Sequence, residues 1–152
     1  MATVTDMLGP QVEDERANGA TTDRYEWGQT DKEVHVFVQC PAGTKSRDVR
    51  FIPTSSKLKF YINTMEEKKI LDGELWAKII ADDSTFTIED KGDGREVHVI
   101  LRKMKITQGK RHWASVCLGE PEIDVSKIPP PIMHLNGNDP AAISQMIEGL
   151  TD

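Results

Sequence analysis

Cysteine is scarce: the 152 residues hold two, Cys40 and Cys117, far apart and outside any CxxC spacing. Neither a disulfide framework nor a four-ligand zinc site is supported, and both side chains are expected to be reduced thiols. Aromatic residues make up 6% and hydrophobic residues 38% of the chain, against 29% charged, so the core must be economical and some sequence is expected to stay outside it. Long apolar runs are missing as well. No stretch approaches the ~20 apolar residues that cross a bilayer, and Met1-Ala2-Thr3-Val4 lacks the positive start and apolar run of a signal peptide. The expected compartment is the cytoplasm, with the nucleus as an addition, and no membrane partner is expected. Positive charge is in deficit: a net charge of -6 opposes the long-range attraction to phosphate backbones on which nucleic-acid binders depend, so no nucleic-acid partner is expected.

Signatures of bond chemistry are also missing. The acidic doublets Glu66-Glu67, Asp82-Asp83 and Glu89-Asp90 are poor acid and base pairs, because neighbouring residues of a strand point to opposite faces. His35, His98, His112 and His134 show neither HxH nor HExxH spacing; His35 and His98 fall on the polar sides of different strands and are read as solvated. Gly92-Asp93-Gly94 lacks the Lys-Ser/Thr of a phosphate loop and the spaced ligands of a calcium loop, and is read as a turn. No Gly-x-Ser-x-Gly elbow occurs. Cys117 lies near His112 in sequence, but without an orienting acid or an oxyanion hole it is read as a small core residue. The expectation is a non-enzymatic protein with no cofactor and no metal.

What the chain does have is alternation. Residues 1–23 carry too few apolar side chains to offset the entropy of ordering, and are read as a disordered tail. Order is expected from Arg24-Tyr25-Glu26-Trp27. Val34, Val36 and Val38 alternate with His35 and Phe37; Leu58, Phe60 and Ile62 alternate with Lys59 and Tyr61; Phe86 and Ile88, then Val97, Val99 and Leu101, repeat the period of two. A short strand over Val49 to Ile52 lies between Pro41-Ala42-Gly43-Thr44 and Pro53-Thr54-Ser55-Ser56, which break the ladder. The stretch Ile70 to Ile80 reads as a strand with a bend at Asp72-Gly73, and Lys91 to Arg95 as a hairpin loop. About seven short strands and no helical crossover predict an all-β, seven-stranded antiparallel β-sandwich. Past Trp113 the Pro-rich stretch through Pro129-Pro130-Pro131 predicts an extended chain. Asp139 and Pro140 then open a short amphipathic helix whose stripe is Ile143, Met146, Ile147 and Leu150. Being marginal alone, that helix needs a surface to cover, its own domain or a partner.

Six short motifs in order, Trp27-Gly28-Gln29-Thr30, Pro41-Ala42-Gly43-Thr44, Leu71-Asp72-Gly73-Glu74-Leu75, Ile88-Glu89-Asp90, Trp113 and Glu120-Pro121-Glu122-Ile123, resemble the NudC (nuclear distribution protein C) family of CS domains, and within it the small NudC domain-containing proteins. The chain departs from the family at His112-Trp113, where members often carry Trp-Trp, and in a hairpin at Lys91 to Arg95 that looks longer than usual. The resemblance implies a co-chaperone-like sandwich over residues 24–128, between the 1–23 tail and a Pro-rich linker with helix over 129–152. It further implies partners among heat shock protein 90-type chaperones and client proteins, and a link to dynein-associated factors and nuclear movement.

The surface feature that stands out is the basic run Lys103, Lys105, Lys110 and Arg111 leading to Trp113. On an acidic protein such a patch suits an acidic partner segment, with Trp113 as apolar anchor; the competing reading places Trp113 in the core. The leading expectation is a co-chaperone or adaptor, monomeric or weakly dimeric. The alternative is an autonomous holdase that binds unfolded proteins and suppresses their aggregation.

Overall fold

Period-two alternation sets the architecture of this computed structural model, which describes residues 14–108 and 111–129. Eight strands follow in order: β1 (Ala20–Thr21), β2 (Glu26–Gln29), β3 (Glu33–Cys40), β4 (Val49–Pro53), β5 (Lys57–Ile62), β6 (Lys69–Glu74), β7 (Ile79–Lys91) and β8 (Gly94–Lys103). They form a five-stranded sheet, β1-β2-β3-β8-β7, and a three-stranded sheet, β4-β5-β6, with every neighbouring pair antiparallel. The all-β sandwich expected from the sequence is the observed fold. Among the described residues the only helical pieces are short 3-10 turns, such as Ser46–Asp48 and Val125–Lys127.

The core lies between the sheets. Val34, Val36 and Val38 of β3 sit opposite Leu101, Val99 and Val97 of β8, and all six face Leu58, Phe60 and Ile62 of β5 in one buried cluster. Each such side chain contributes roughly 1.5–3 kcal/mol through burial. Trp27 and Trp113, each 1% exposed, supply the largest buried volumes.

Two expectations about local structure are corrected. The stretch from Ile70 to Ile80 is not one bent strand: Asp72 and Gly73 pair in register with Lys59 and Leu58 inside β6, and the break comes after Glu74. Ile79 and Ile80 then open β7 in the other sheet, opposite Lys103 and Arg102. Ile70, Leu71, Leu75 and Ile79 all enter the same core, so hydrophobicity alone does not mark the change of sheet. The hairpin between β7 and β8 is tight. Lys91 pairs with Gly94 across Gly92-Asp93, and Gly92 takes a φ of 58, the positive value a two-residue turn requires at its first position.

Order begins before Arg24. β1 pairs with β2 through Ala20 with Trp27 and Thr21 with Glu26, an eighth strand beside the expected seven. Upstream of it, an arm crosses β2 over Gly28, whose backbone lies so close that an added Cβ would stand 2.2 Å from the carbonyl oxygen of Glu15. The Gln29 N–H donates to the Ala17 carbonyl at 2.9 Å. Backbone pairing and one arginine hold this arm, so apolar content gives no sign of it. The stripe Ile143, Met146, Ile147 and Leu150, and residue Lys110, lie outside the described residues.

Candidate protein-interaction site

Among the described residues of the basic run, Lys103 is buried while Lys105 and Arg111 are exposed. Lys103, at the end of β8, is 3% exposed, and its ammonium donates to Gln29 Oε1 at 2.9 Å, to the Thr30 carbonyl at 2.8 Å and to Thr107 Oγ1. It works inside the fold, which corrects its place in a surface patch. Trp113 is likewise in the core: the burial of its indole wins over an exposed anchoring role. Gln29 fixes it, accepting from the Trp113 N–H at 2.8 Å and donating to the Trp113 carbonyl at 2.7 Å. His112 beside it is buried; desolvation, and then the charge of Lys103, lower its pKa to about 4, so the ring is neutral near pH 7.

Lys105 and Arg111 are exposed. Together with Lys78, Ala77, Met104, Ile106, Thr107 and Trp113 they line a groove of about 480 Å³. Met104 and Ile106 are 48% and 55% exposed, two of the four exposed large hydrophobic residues among those described. The loop carrying them is tied at both ends, by Met104 N–H to the Lys78 carbonyl at 3.1 Å and Thr107 N–H to the Asp31 carbonyl at 2.9 Å. The groove is therefore preformed, with apolar walls and a basic rim, a chemistry suited to an apolar side chain flanked by carboxylates.

The other outward face departs from expectation. His35 is not solvated: the arm covers it to 1% exposure. Its Nδ1 lies 2.8 Å from His98 Nε2 and 3.6 Å from Glu15 Oε2, and its Nε2 lies 3.1 Å from Glu33 Oε1. Desolvation, reinforced by His35, lowers the pKa of His98. Arg16 lies on the same face, its guanidinium carbon 3.7 Å from the centre of the Phe37 ring, and bridges Glu26 at 2.5 Å and Glu96 at 2.6 Å. Cys117 is buried and its thiol is pushed up to about 12 by desolvation, in keeping with a core residue.

The short sequence motifs prove to be mutual clasps. Thr44 closes its turn on the Pro41 carbonyl at 3.0 Å, bonds Thr64 at 2.6 Å, and accepts from Arg95 at 2.8 Å. Glu120 accepts from Tyr25 Oη at 2.9 Å and from Arg24 at 2.6 Å. Leu75 bridges to Cys117, which sets the segment after Trp113 alongside the end of β6.

The architecture is a five-plus-three antiparallel sandwich with the segment after Trp113 bridged to the end of β6. Residues 23–103 match the CS domain, and the chain belongs to the CS-domain family. The NudC resemblance holds in its relatives. The chain is 34% identical over 143 residues to Protein BOBBER 2 of Arabidopsis thaliana, covering 91% of this chain and 45% of that one. It is 32% identical over 106 residues to the nuclear movement protein nudc of Schizosaccharomyces pombe, covering 70% of this chain and 60% of that one. The chain spans about half the length of the curated relatives it matches. The solved CS domain of human KIAA1068 protein shares the fold with a TM-score of 0.58 at 24% identity, covering 80% of this chain and 94% of that domain.

Proposed function

We propose that this protein is a non-enzymatic co-chaperone or adaptor that captures a protein partner in the groove between Lys78 and Arg111. The observation that carries the reading is the pair Met104 and Ile106, held exposed beside Lys78 and Lys105 on a loop tied at both ends. Side chains of that size are seldom left in water without use when they line a shaped groove. The CS-domain membership and the NudC and BOBBER relatives support a co-chaperone-like role. The partner class that fits is a heat shock protein 90-type chaperone or a client offering an apolar residue between acidic ones; a dynein-associated factor with such a segment fits the same groove.

The test is a pull-down from cell extract with the intact chain, against a Lys105→Glu/Ile106→Asp variant. Selective loss of a chaperone from the variant supports the adaptor, and identical partner sets overturn the groove. Exposed apolar walls also suit an autonomous holdase. Suppressed aggregation of an unrelated heated protein without ATP, lost in the same variant, favours the holdase over the adaptor.

A further inference from the structure

We infer that Glu15, His35 and His98 form a binding site for one divalent transition-metal ion of the zinc class, which pins the N-terminal arm to the five-stranded sheet. One ligand atom from each of the three residues lies within 4.8 Å of the others. His35 and His98 come from adjacent strands, and their rings are diagonal neighbours on the outer face, since His35 pairs with Ile100 and His98 with Phe37. Glu15 arrives from the arm above them, its Oε2 3.6 Å from His35 Nδ1. Three donors from three separate pieces of chain thus converge on one point.

The tautomers suit coordination. Glu33 Oε1, 3.1 Å from His35 Nε2, holds the proton on that nitrogen and leaves the Nδ1 lone pair aimed at the cluster. A carboxylate behind a histidine is the arrangement that orients and strengthens a metal-bound imidazole. Without metal, the 2.8 Å contact then makes His98 Nε2–H the donor to His35 Nδ1. On coordination His98 adopts its Nδ1–H tautomer and Nε2 turns its lone pair to the ion, with no net change in the ring's proton count. Tetrahedral bonds of about 2.0–2.1 Å place two ligand nitrogens about 3.3 Å apart, so the rings open by about half an ångström. His98 is only half-buried and can make that adjustment.

Charge favours a dication here. Glu15 and Glu33 both lie against His35, while the guanidinium of Arg16 is offset by its own pairs with Glu26 and Glu96. Two imidazoles and one carboxylate select zinc and its transition-metal neighbours over magnesium or calcium, which take oxygen ligands.

The full chain, stripped with chelator and titrated with Zn²⁺ alone, tests the site through long-range proton–nitrogen spectra of the histidine rings. One ion per chain is expected, moving His35 Nδ1 and His98 Nε2 together and slowing hydrogen exchange at the Gln29 N–H beneath the arm. Glu33→Gln weakens binding about 10–100-fold, and Glu15→Gln, at an exposed residue that leaves the sandwich intact, at least about tenfold. Zn²⁺ that leaves both nitrogens unmoved, shifts only His112, His134 or the two thiols, or binds the Glu15→Gln chain as well as the parent overturns the inference.

Discussion

The side-chain amide of Gln29 makes two hydrogen bonds to the backbone of Trp113, accepting from its N–H at 2.8 Å and donating to its carbonyl at 2.7 Å. The two residues lie 84 positions apart, so one amide ties β2 to the segment that closes the sandwich. The same Oε1 also accepts from Lys103 at 2.9 Å. Gln29→Ala therefore strands two backbone groups and loosens a buried ammonium. At about 1–3 kcal/mol for each buried polar group left unmade, the expected loss is about 3–5 kcal/mol. Urea unfolding followed by tryptophan fluorescence reads it; a midpoint within error of the parent would show that the clasp does not matter.

His112 makes stability depend on acid. Its pKa is lowered to about 4 from an ordinary value of 6.5 by desolvation and by Lys103, and Thr107 Oγ1 lies 3.3 Å from its Nδ1. Because the unfolded chain takes up the proton first, stability falls as pH drops from about 6.5 to about 4, with no contribution from this ring above that window. The neutral substitution His112→Gln is expected to flatten this part of the profile while the carboxylates keep theirs. Urea midpoints at pH 7.5 and pH 5 for both chains decide it, and equal acid losses would assign the slope elsewhere.

The arm over Gly28 gives a third test. An added Cβ would meet the Glu15 carbonyl at 2.2 Å and the Arg16 carbonyl carbon at 2.6 Å, and backbone atoms cannot yield as a flexible side chain does. Gly28→Val should lift residues 14–17, expose His35 and raise hydrogen exchange at the Gln29 N–H, which bonds the Ala17 carbonyl. Residue-resolved exchange measures this. Arg16→Ala, which removes the contact with Phe37 and two ion pairs, should do the same more weakly, because partly exposed pairs are worth about 0–1 kcal/mol each.

Strand positions were legible because the core faces of β3, β5 and β8 obey period two without exception: Val34, Val36 and Val38, Leu58, Phe60 and Ile62, and Val97, Val99 and Leu101 are all buried. The motif order pointed to the family because Gln29, Thr44 and Glu120 each make contacts that their neighbours in sequence cannot supply. The site was less legible. A lysine run reads as surface until partners such as Thr30 and Thr107 are brought to it by folding, as happens at Lys103. His35 sits on a polar register position, yet it is 1% exposed, set against His98, Glu33 and Glu15 of an arm that is poor in apolar residues. Lys105 and Ile106 differ from Lys103 by two and three positions, yet only the turn after β8 decides that they line a groove.

That division sets apart two lysines which look equivalent in sequence. Lys103→Met removes an ammonium that is 3% exposed and leaves the Thr30 carbonyl and Thr107 hydroxyl without their donor, for an expected loss of about 1–3 kcal/mol. Lys105→Glu changes an exposed side chain and should move stability by no more than about 0.5 kcal/mol. Partner capture should follow the opposite order at a temperature where both chains stay folded. Lys105→Glu, reversing charge on the groove rim, should weaken retention and reduce its salt dependence, since a rim charge acts chiefly on association. Lys103→Met should retain partners at the parental level. If binding is lost with Lys103 and kept with Lys105 reversed, the groove is not the docking surface and the partner recognises a feature that depends on the buried clasp.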